Sequence, residues 1–263
     1  MLTPKINFTE LRPPAETIGR GEELHQPRMA EEEAIDLREI YRRRFEPLLP
    51  YRRAVWRVLT KDFFQKLIDP QSRVLDLGCG YGEFINHISA AEKFGMDLNP
   101  DSETALAHDV KFLEQNCATK WPLADHSLDV IFTSNFFEHL PDKSALARTI
   151  AEAARCLRPG GRVIAMGPNI ACLGGAYWHF WDHEIPLTHL SLEELMRLHD
   201  FDIERAEKAF LPYTLVNQPQ YPLVLLRIYL RLPALWRIFG GQFLVIARKK
   251  NERLSERAND GRR

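Results

Sequence analysis

Short β-rich runs alternate with stretches of helical periodicity along most of this chain. Arg73 to Leu77, Lys93 to Asp97, Val110 to Leu113, Leu128 to Thr133 and Arg162 to Met166 read as strands. That alternation predicts a parallel sheet with crossover helices on both faces. Asp142 to Leu157 places Leu146, Ile150, Ala153 and Leu157 on one stripe, with Pro159-Gly160-Gly161 as its stop. Ser191 followed by Glu194 fits a capping box at the start of another helix. Phe201 to Phe210 and Gln242 to Arg248 supply two more strands. Between them, the insertion 219–241 mixes Leu225, Leu226, Ile228, Leu230 and Trp236 with Arg227, Arg231 and Arg237, and is expected to be helical with a break at Pro233. Upstream, Met29 to Ile68 has helical spacing interrupted at Leu49-Pro50. The expected organisation is a loosely ordered arm over 1–28, a helical cap over 29–70, one α/β domain over 71–250 and a charged tail over 251–263. The fold class follows: a Rossmann-like, seven-stranded, mostly parallel sheet with helices on both faces and an N-terminal helical lid.

Composition narrows the partners. The 263 residues carry 35 Lys and Arg against 36 Asp and Glu, a net charge of −1, so nothing global steers the chain to nucleic acid. Cys79, Cys117, Cys156 and Cys172 are scattered without a paired spacing, which suits reduced thiols. The first residues lack a cationic region leading into an apolar core, and no window is long and apolar enough to span a bilayer. These features together lead to the expectation of a cytoplasmic protein.

The candidate chemistry begins in Val74-Leu75-Asp76-Leu77-Gly78-Cys79-Gly80-Tyr81-Gly82, where a buried strand enters a turn with glycine at every second position. Glycines there permit positive φ and let a ligand lie on bare backbone. The next strand ends in Asp97, about 20 residues on, the separation at which this fold receives a ribose diol. Dinucleotide sites space their glycines differently, to face a pyrophosphate. Here Asp76 precedes the turn, and a carboxylate at that edge suits a ligand bearing an ammonium group.

Taken with Met96-Asp97-Leu98-Asn99-Pro100, Asp129 to Asn135 and Leu157 to Ile164 in that order, the turn resembles the class I S-adenosylmethionine-dependent methyltransferases over about Gln71 to Lys249. The resemblance implies S-adenosylmethionine as cofactor, with Asp76, Gly78, Cys79, Gly80, Tyr81 and Gly82 around its methionine part and Asp97 and Leu98 at the ribose. It further implies Asn116 and Cys117 at the adenine, and Ser134 and Asn135 facing the transferable methyl. Where the family often has aspartate for the adenine amino group, this chain has Asn116, whose carbonyl is also an acceptor.

Two clusters beyond the strand ends are candidates for the acceptor chemistry: Glu138-His139, and Trp178 to His189 with His183 and His189. Glu138-His139 resembles the metal-binding Glu-x-x-Glu-His segment of ubiquinone-pathway and small-RNA 2′-O-methyltransferases, but Asn135 replaces the first glutamate, so no metal is assigned. The preferred reading is a general base at His139 or His183, beside the plainer one of a packed histidine. Trp178, Phe180 and Trp181 form either a wall for a sugar or aromatic acceptor or a core patch under a loop. Tyr41 to Arg44 and Tyr51 to Arg53 form either a clamp for an anionic substrate, such as a nucleotide-sugar or lipid-linked glycan, or a solvated face. The insertion 221–239 either packs over the sheet or pocket or meets a membrane surface or partner chain.

The expected function is O-methylation of a sugar, glycan or other hydroxylated small molecule, as in polysaccharide biosynthesis. Methylation of an RNA 2′-OH or a quinone-like phenol is the enzymatic alternative, and a non-catalytic cofactor-binding module the alternative of another class.

Overall fold

The computed structural model describes residues 48–214 and 219–251. The expected arm over 1–28, the helical stretch over 29–47 and most of the tail lie outside the described residues.

Seven strands, β1 (Arg73–Leu77), β2 (Glu92–Asp97), β3 (Val110–Glu114), β4 (Leu128–Ser134), β5 (Leu157–Pro168), β6 (Phe201–Glu207) and β7 (Gln242–Lys249), form one sheet in the order β3-β2-β1-β4-β5-β7-β6. Every pairing among β1 to β5 is parallel, and β7 runs antiparallel to both of its neighbours. The order reverses beside β1, so the connections leaving β1 and β4 run in opposite directions and leave a crevice at the carboxyl ends, where such sheets bind ligands. No helix among the described residues is long and apolar enough to cross a membrane. All four cysteines are free thiols.

The central strands are mostly apolar because both faces of the sheet are covered. Leu75 and Leu77 of β1, Ile131 of β4 and Val163 of β5 face a cluster with α2 (Lys143–Cys156) and α4 (His189–Leu198), through Leu146, Ile150, Leu192 and Met196. Val74, Phe132, Ile164 and Leu244 face the opposite cluster, with α1 (Leu49–Asp62), α5 (Leu223–Arg231) and α6 (Pro233–Phe239). A four-residue turn of helix, α3 (Ile170–Leu173), follows β5. At the opposite end of the sheet, Asp129 accepts from the Arg73 amide at 2.7 Å and meets the Arg158 guanidinium at 2.5 Å, tying β1, β4 and β5 together.

Leu49-Pro50 opens α1, where proline at the first turn withholds an N–H that would have no partner there. Several local expectations change. The connections after β1, β2 and β3 hold no α-helix, only turns and the 3-10 run Pro100–Ala105. After the glycine turn, Asn86 N bonds to Gly82 O and Ile88 N to Phe84 O, and the helical geometry goes no further. Asn86 instead directs its side-chain amide to Ala105 O and accepts from Ala107 N, fastening this segment to the next connection. The capping box of α4 lies three residues earlier than Ser191 and Glu194: Thr188 is the N-cap and Ser191 the residue that reaches back. His189 and Leu190 thereby join the first turn. α2 ends at Cys156, and Leu157 with Pro159-Gly160-Gly161 belongs to β5, at an irregularity against β4. β6 ends at Glu207 rather than running to Phe210.

With those helices absent, aromatic side chains cover much of the α1 face. Phe132 of β4 stacks on Phe84 at 3.7 Å between centroids, and takes Phe64 edge-on at 4.9 Å and Trp56 at 6.1 Å. Phe63, Phe210 and Trp236 continue the cluster, with Phe63 4.7 Å and Trp236 4.9 Å from Phe210. Phe132→Ala is expected to destabilise the fold by about 3–5 kcal/mol in denaturant titration; a loss under about 1 kcal/mol would show that the cluster closes around the gap.

Candidate active site

The glycine turn is fastened to the end of β2 by its own backbone. Gly78 N and Cys79 N both donate to Met96 O, at 2.9 and 3.1 Å, and Gly80 N donates to Asp97 Oδ2 at 2.9 Å. Asp97 Oδ1 accepts from Asn99 N at 2.9 Å, so each carboxylate oxygen keeps a further lone pair for a ligand hydroxyl. Gly78 has φ +72°, and a Cβ there would fall 2.3 Å from the ring of Phe136, which lies directly over it. The turn is therefore a bare cradle that any side chain would fill.

Its electrostatics are one-sided. Asp76 is buried at the floor, and burial, reinforced by the charges of Glu83 and Asp97, drives its carboxyl well above the ordinary range. Glu83 is itself buried and pairs with Arg52 Nε of α1 at 2.7 Å. Arg52, one of the expected anion clamps, is thus engaged with Glu83, while Arg53 is exposed and 41–47 lie outside the described residues. Three carboxyl groups around a glycine cradle suit a cationic ligand, which would compensate the desolvated Asp76. Cys79 is buried and its thiol pushed far up by that burial. Tyr81 is half-buried, and Leu98, beyond Asp97, is 64% exposed.

Asn116 is exposed, and its Oδ1 accepts from Ala118 N at 2.8 Å, leaving one lone pair. Cys117 is buried, with its Sγ taken by the Thr149 hydroxyl at 3.3 Å. Ser134 ends β4, and Asn135 follows it at φ +49°, with its amide on Met166 O and its side chain donating to Ser134 Oγ at 2.9 Å. That kink turns the chain from β4 into the 3-10 turn Phe137–His139.

Glu138, His139 and His183 come together there, one potential ligand atom from each lying within 4.8 Å of the others. Glu138 is 2% exposed, and burial pushes its carboxyl up to about 7 against the pull of His139. Its backbone carbonyl receives Glu184 N at 2.8 Å and Ile185 N at 3.1 Å, which brings the second candidate loop onto the first. His139 Nδ1 lies 2.7 Å from Asp182 O, and its Nε2 is 3.8 Å from Glu138 Oε1. A carbonyl only accepts, so in neutral His139 Nδ1 holds the hydrogen and Nε2 presents a lone pair. The side chain of His139 is 30% exposed, whereas His183 is buried edge-on against it at 5.1 Å, enclosed by Tyr177 and Phe180.

His189 stands apart from this cluster. As the first residue of α4 it faces the buried Asn169 Nδ2 at 3.2 Å, and burial lowers its pKa. Trp178 and Trp181 are 50% and 73% exposed, so the core-patch reading fails for both. The core position in that loop belongs to Tyr177, whose hydroxyl donates to Ile185 O. Sequence reasoning passed over Tyr177, Asp182 and Phe136; the adjacency of Asp182 to His183 was the only signal available for Asp182.

The chain is matched by the family model described as a methyltransferase domain over residues 48–206. The chain belongs to the class I S-adenosylmethionine-dependent methyltransferases. It is similar to phosphoethanolamine N-methyltransferase 1 of Arabidopsis thaliana, 36% identical over 119 residues, 40% of this chain and 23% of that protein. It is also similar to the ubiquinone biosynthesis O-methyltransferase of Neisseria meningitidis, 36% identical over 102 residues, 35% of this chain and 42% of that protein. The chain thus spans less than half the length of these curated relatives. In fold it is similar to an S-adenosylmethionine-dependent methyltransferase from Archaeoglobus fulgidus, at a TM-score of 0.58 and 21% identity, over 81% of this chain and all of that one. S-adenosylmethionine is the family's methyl donor, and the bare, acidic cradle fits its cationic methionine end.

Gly78→Ala combines a positive-φ penalty with a collision at Phe136, and is expected to weaken S-adenosylmethionine binding about tenfold or more by calorimetry. Unchanged affinity would place the donor elsewhere. Glu138 binds its proton more tightly folded than unfolded, so its contribution to stability is complete below the ordinary 4.5 and lost as pH rises through about 7. Glu138→Gln is therefore expected to gain on the native protein by up to about 3 kcal/mol between pH 5 and 8.5. Parallel stability curves for the two proteins would contradict this.

Proposed function

We propose that this chain transfers the methyl group of S-adenosylmethionine to an oxygen nucleophile of a hydroxylated small molecule or glycan, with His139 as general base. One observation carries the reading: His139 Nδ1 on the Asp182 carbonyl at 2.7 Å, which aims an unprotonated Nε2 away from the anchoring bond. Bound S-adenosylmethionine supplies an electrophilic methyl carbon on a sulfonium and leaves as S-adenosylhomocysteine. The glycine turn holds the methionine part, Asp76 faces its ammonium, Asp97 receives the ribose hydroxyls with Leu98 beside them, and Asn116 and Cys117 border the adenine. Ser134 and Asn135 stand beside the methyl. His139 Nε2 takes the acceptor's hydroxyl proton as the oxygen lone pair forms the bond to carbon. The resulting imidazolium is stabilised by Glu138 Oε1 at 3.8 Å and Asp182 Oδ2 at 3.5 Å.

His139 is preferred to His183 because only His139 has substantial solvent access. The exposed faces of Trp178 and Trp181 supply the rings against which a sugar or aromatic acceptor packs. The absence of a basic excess disfavours RNA. The free thiols support placement in a reducing compartment such as the cytoplasm. A second reading rests on the same cluster: Glu138, His139 and His183 present two nitrogens and a carboxylate of the type that holds a divalent cation. Such an ion would lower the pKa of a bound hydroxyl in place of the base.

His139→Ala is expected to lower the methylation rate about 100-fold or more with donor affinity intact; full activity removes His139 from the chemistry. Chelation separates the two readings, since the base mechanism survives it and the metal mechanism does not. Methyl-labelled donor incubated with cell extract, followed by mass spectrometry of the product, identifies the acceptor; label on nitrogen or on RNA overturns the proposed class.

A further inference from the structure

Helix α5 is apolar on both sides. Leu223, Leu226, Tyr229 and Leu230 face inward and pack on the α1 layer of the core. Tyr221, Val224, Leu225, Ile228 and Leu232, at helical spacing on the other side, face outward and are exposed. α6 repeats the arrangement, with Trp236 buried and Ile238 and Phe239 exposed by 70% and 62%. Seven of the twelve exposed large apolar side chains among the described residues fall within this one stretch of 19. Scattered exposed leucines are ordinary, but a concentration on two consecutive helices marks a contact surface.

The segment that builds this surface carries charge of a single sign. From Lys208 to Asn251 the sequence contains no Asp or Glu and seven Lys and Arg, in a chain whose net charge is −1. Arg227 is exposed and pairs with Asp62 of α1 at 3.1 Å. Arg231 and Arg237 are exposed and have no ionic partner among the described residues. The helices are nine and seven residues long, too short to cross a bilayer.

We propose that the α5–α6 face docks on an anionic membrane surface, its aliphatic and aromatic side chains entering the headgroup boundary and Arg231 and Arg237 meeting lipid phosphates. A second copy presenting the same face would set arginine against arginine, and Asp62, the acidic group beside the helices, is already paired with Arg227. An anionic bilayer accepts both the apolar and the cationic groups. Tyr51 of α1 donates to Tyr221 O at 3.0 Å and Tyr229 to Phe210 O at 2.6 Å, so the helices dock as extensions of the core. The loop of Trp178 and Trp181 is joined to the segment before α5 by Tyr213, which donates to Tyr177 O at 3.3 Å and lies edge-on to Phe180. The docking face and the candidate acceptor loop therefore share a structural support.

Flotation of the full chain with vesicles of mixed phosphatidylglycerol and phosphatidylcholine tests the proposal. The native protein is expected to float with them and not with phosphatidylcholine alone. Arg231→Gln and Arg237→Gln are each expected to lower the partition coefficient about fivefold. Leu225→Ser combined with Ile228→Ser and Phe239→Ser abolishes flotation while S-adenosylmethionine binding is retained, which shows that the variant is folded. Failure of the native chain to float, or equal flotation of the triple variant, overturns the proposal. So does a dimer in sedimentation equilibrium that the triple variant dissociates. A photo-crosslinker placed at Ile228 that captures residues 1–47 of the same chain, in preference to lipid when vesicles are present, overturns it in favour of an internal cover.

Discussion

The stacking of Phe132 on Phe84 is the contact on which this structure turns. Phe132 sits on β4 two residues before Ser134, and Phe84 follows the glycine turn by two residues. One ring pair therefore fixes the distance between the donor cradle and the strand that leads to Glu138 and His139. Trp56 and Phe64 press on the same ring and attach α1 to that junction. In a sheet whose first three connections contain no α-helix, rigid aromatic rings bury the area that crossover helices would otherwise bury.

That junction separates two regions of opposite electrostatic character. Around the turn, burial and the neighbouring charges of Glu83 and Asp97 make Asp76 hard to ionise, and Arg52 pairs with Glu83. Desolvated carboxyls of this kind are costly to ionise, and the cost is relieved by a cation placed among them. At the end of β4, burial of Glu138 beside a partly accessible His139 gives a carboxyl that exchanges its proton near neutrality and a ring with one nitrogen already committed. The first region suits a positive ligand, and the second places a carboxyl that titrates near neutrality beside an imidazole.

Coverage of the sheet is uneven in a way that bears on partners. α2 buries its apolar stripe against one face and presents polar residues outward, as α4 does apart from the exposed Leu190 and Leu198 near its two ends. α5 and α6 cover the other face but are apolar beyond what that role requires. Their outer side is continuous with a stretch devoid of acidic residues, which distinguishes it from the rest of a nearly neutral surface.

The sequence by itself determined the strand succession, the glycine turn and the acid at the end of β2, because each depends on local pattern: runs of β-branched and aliphatic residues, positive φ, and a fixed spacing from β1 to β2. It also marked the two loops that meet at Glu138. It misplaced the capping box, since Thr188 and Ser191 compete for one helix start and only packing decides where the first turn begins. It expected a helix after Gly82, where Asn86 binds the neighbouring connection instead. Tertiary structure alone decided that His183 joins His139 while His189 turns to Asn169, that Trp178 and Trp181 face solvent while Tyr177 enters the core, and that Asp182 anchors His139 through its carbonyl. These facts depend on contacts between separate segments of the chain and on backbone groups whose identity no side chain reveals, so spacing along the chain carries no trace of them.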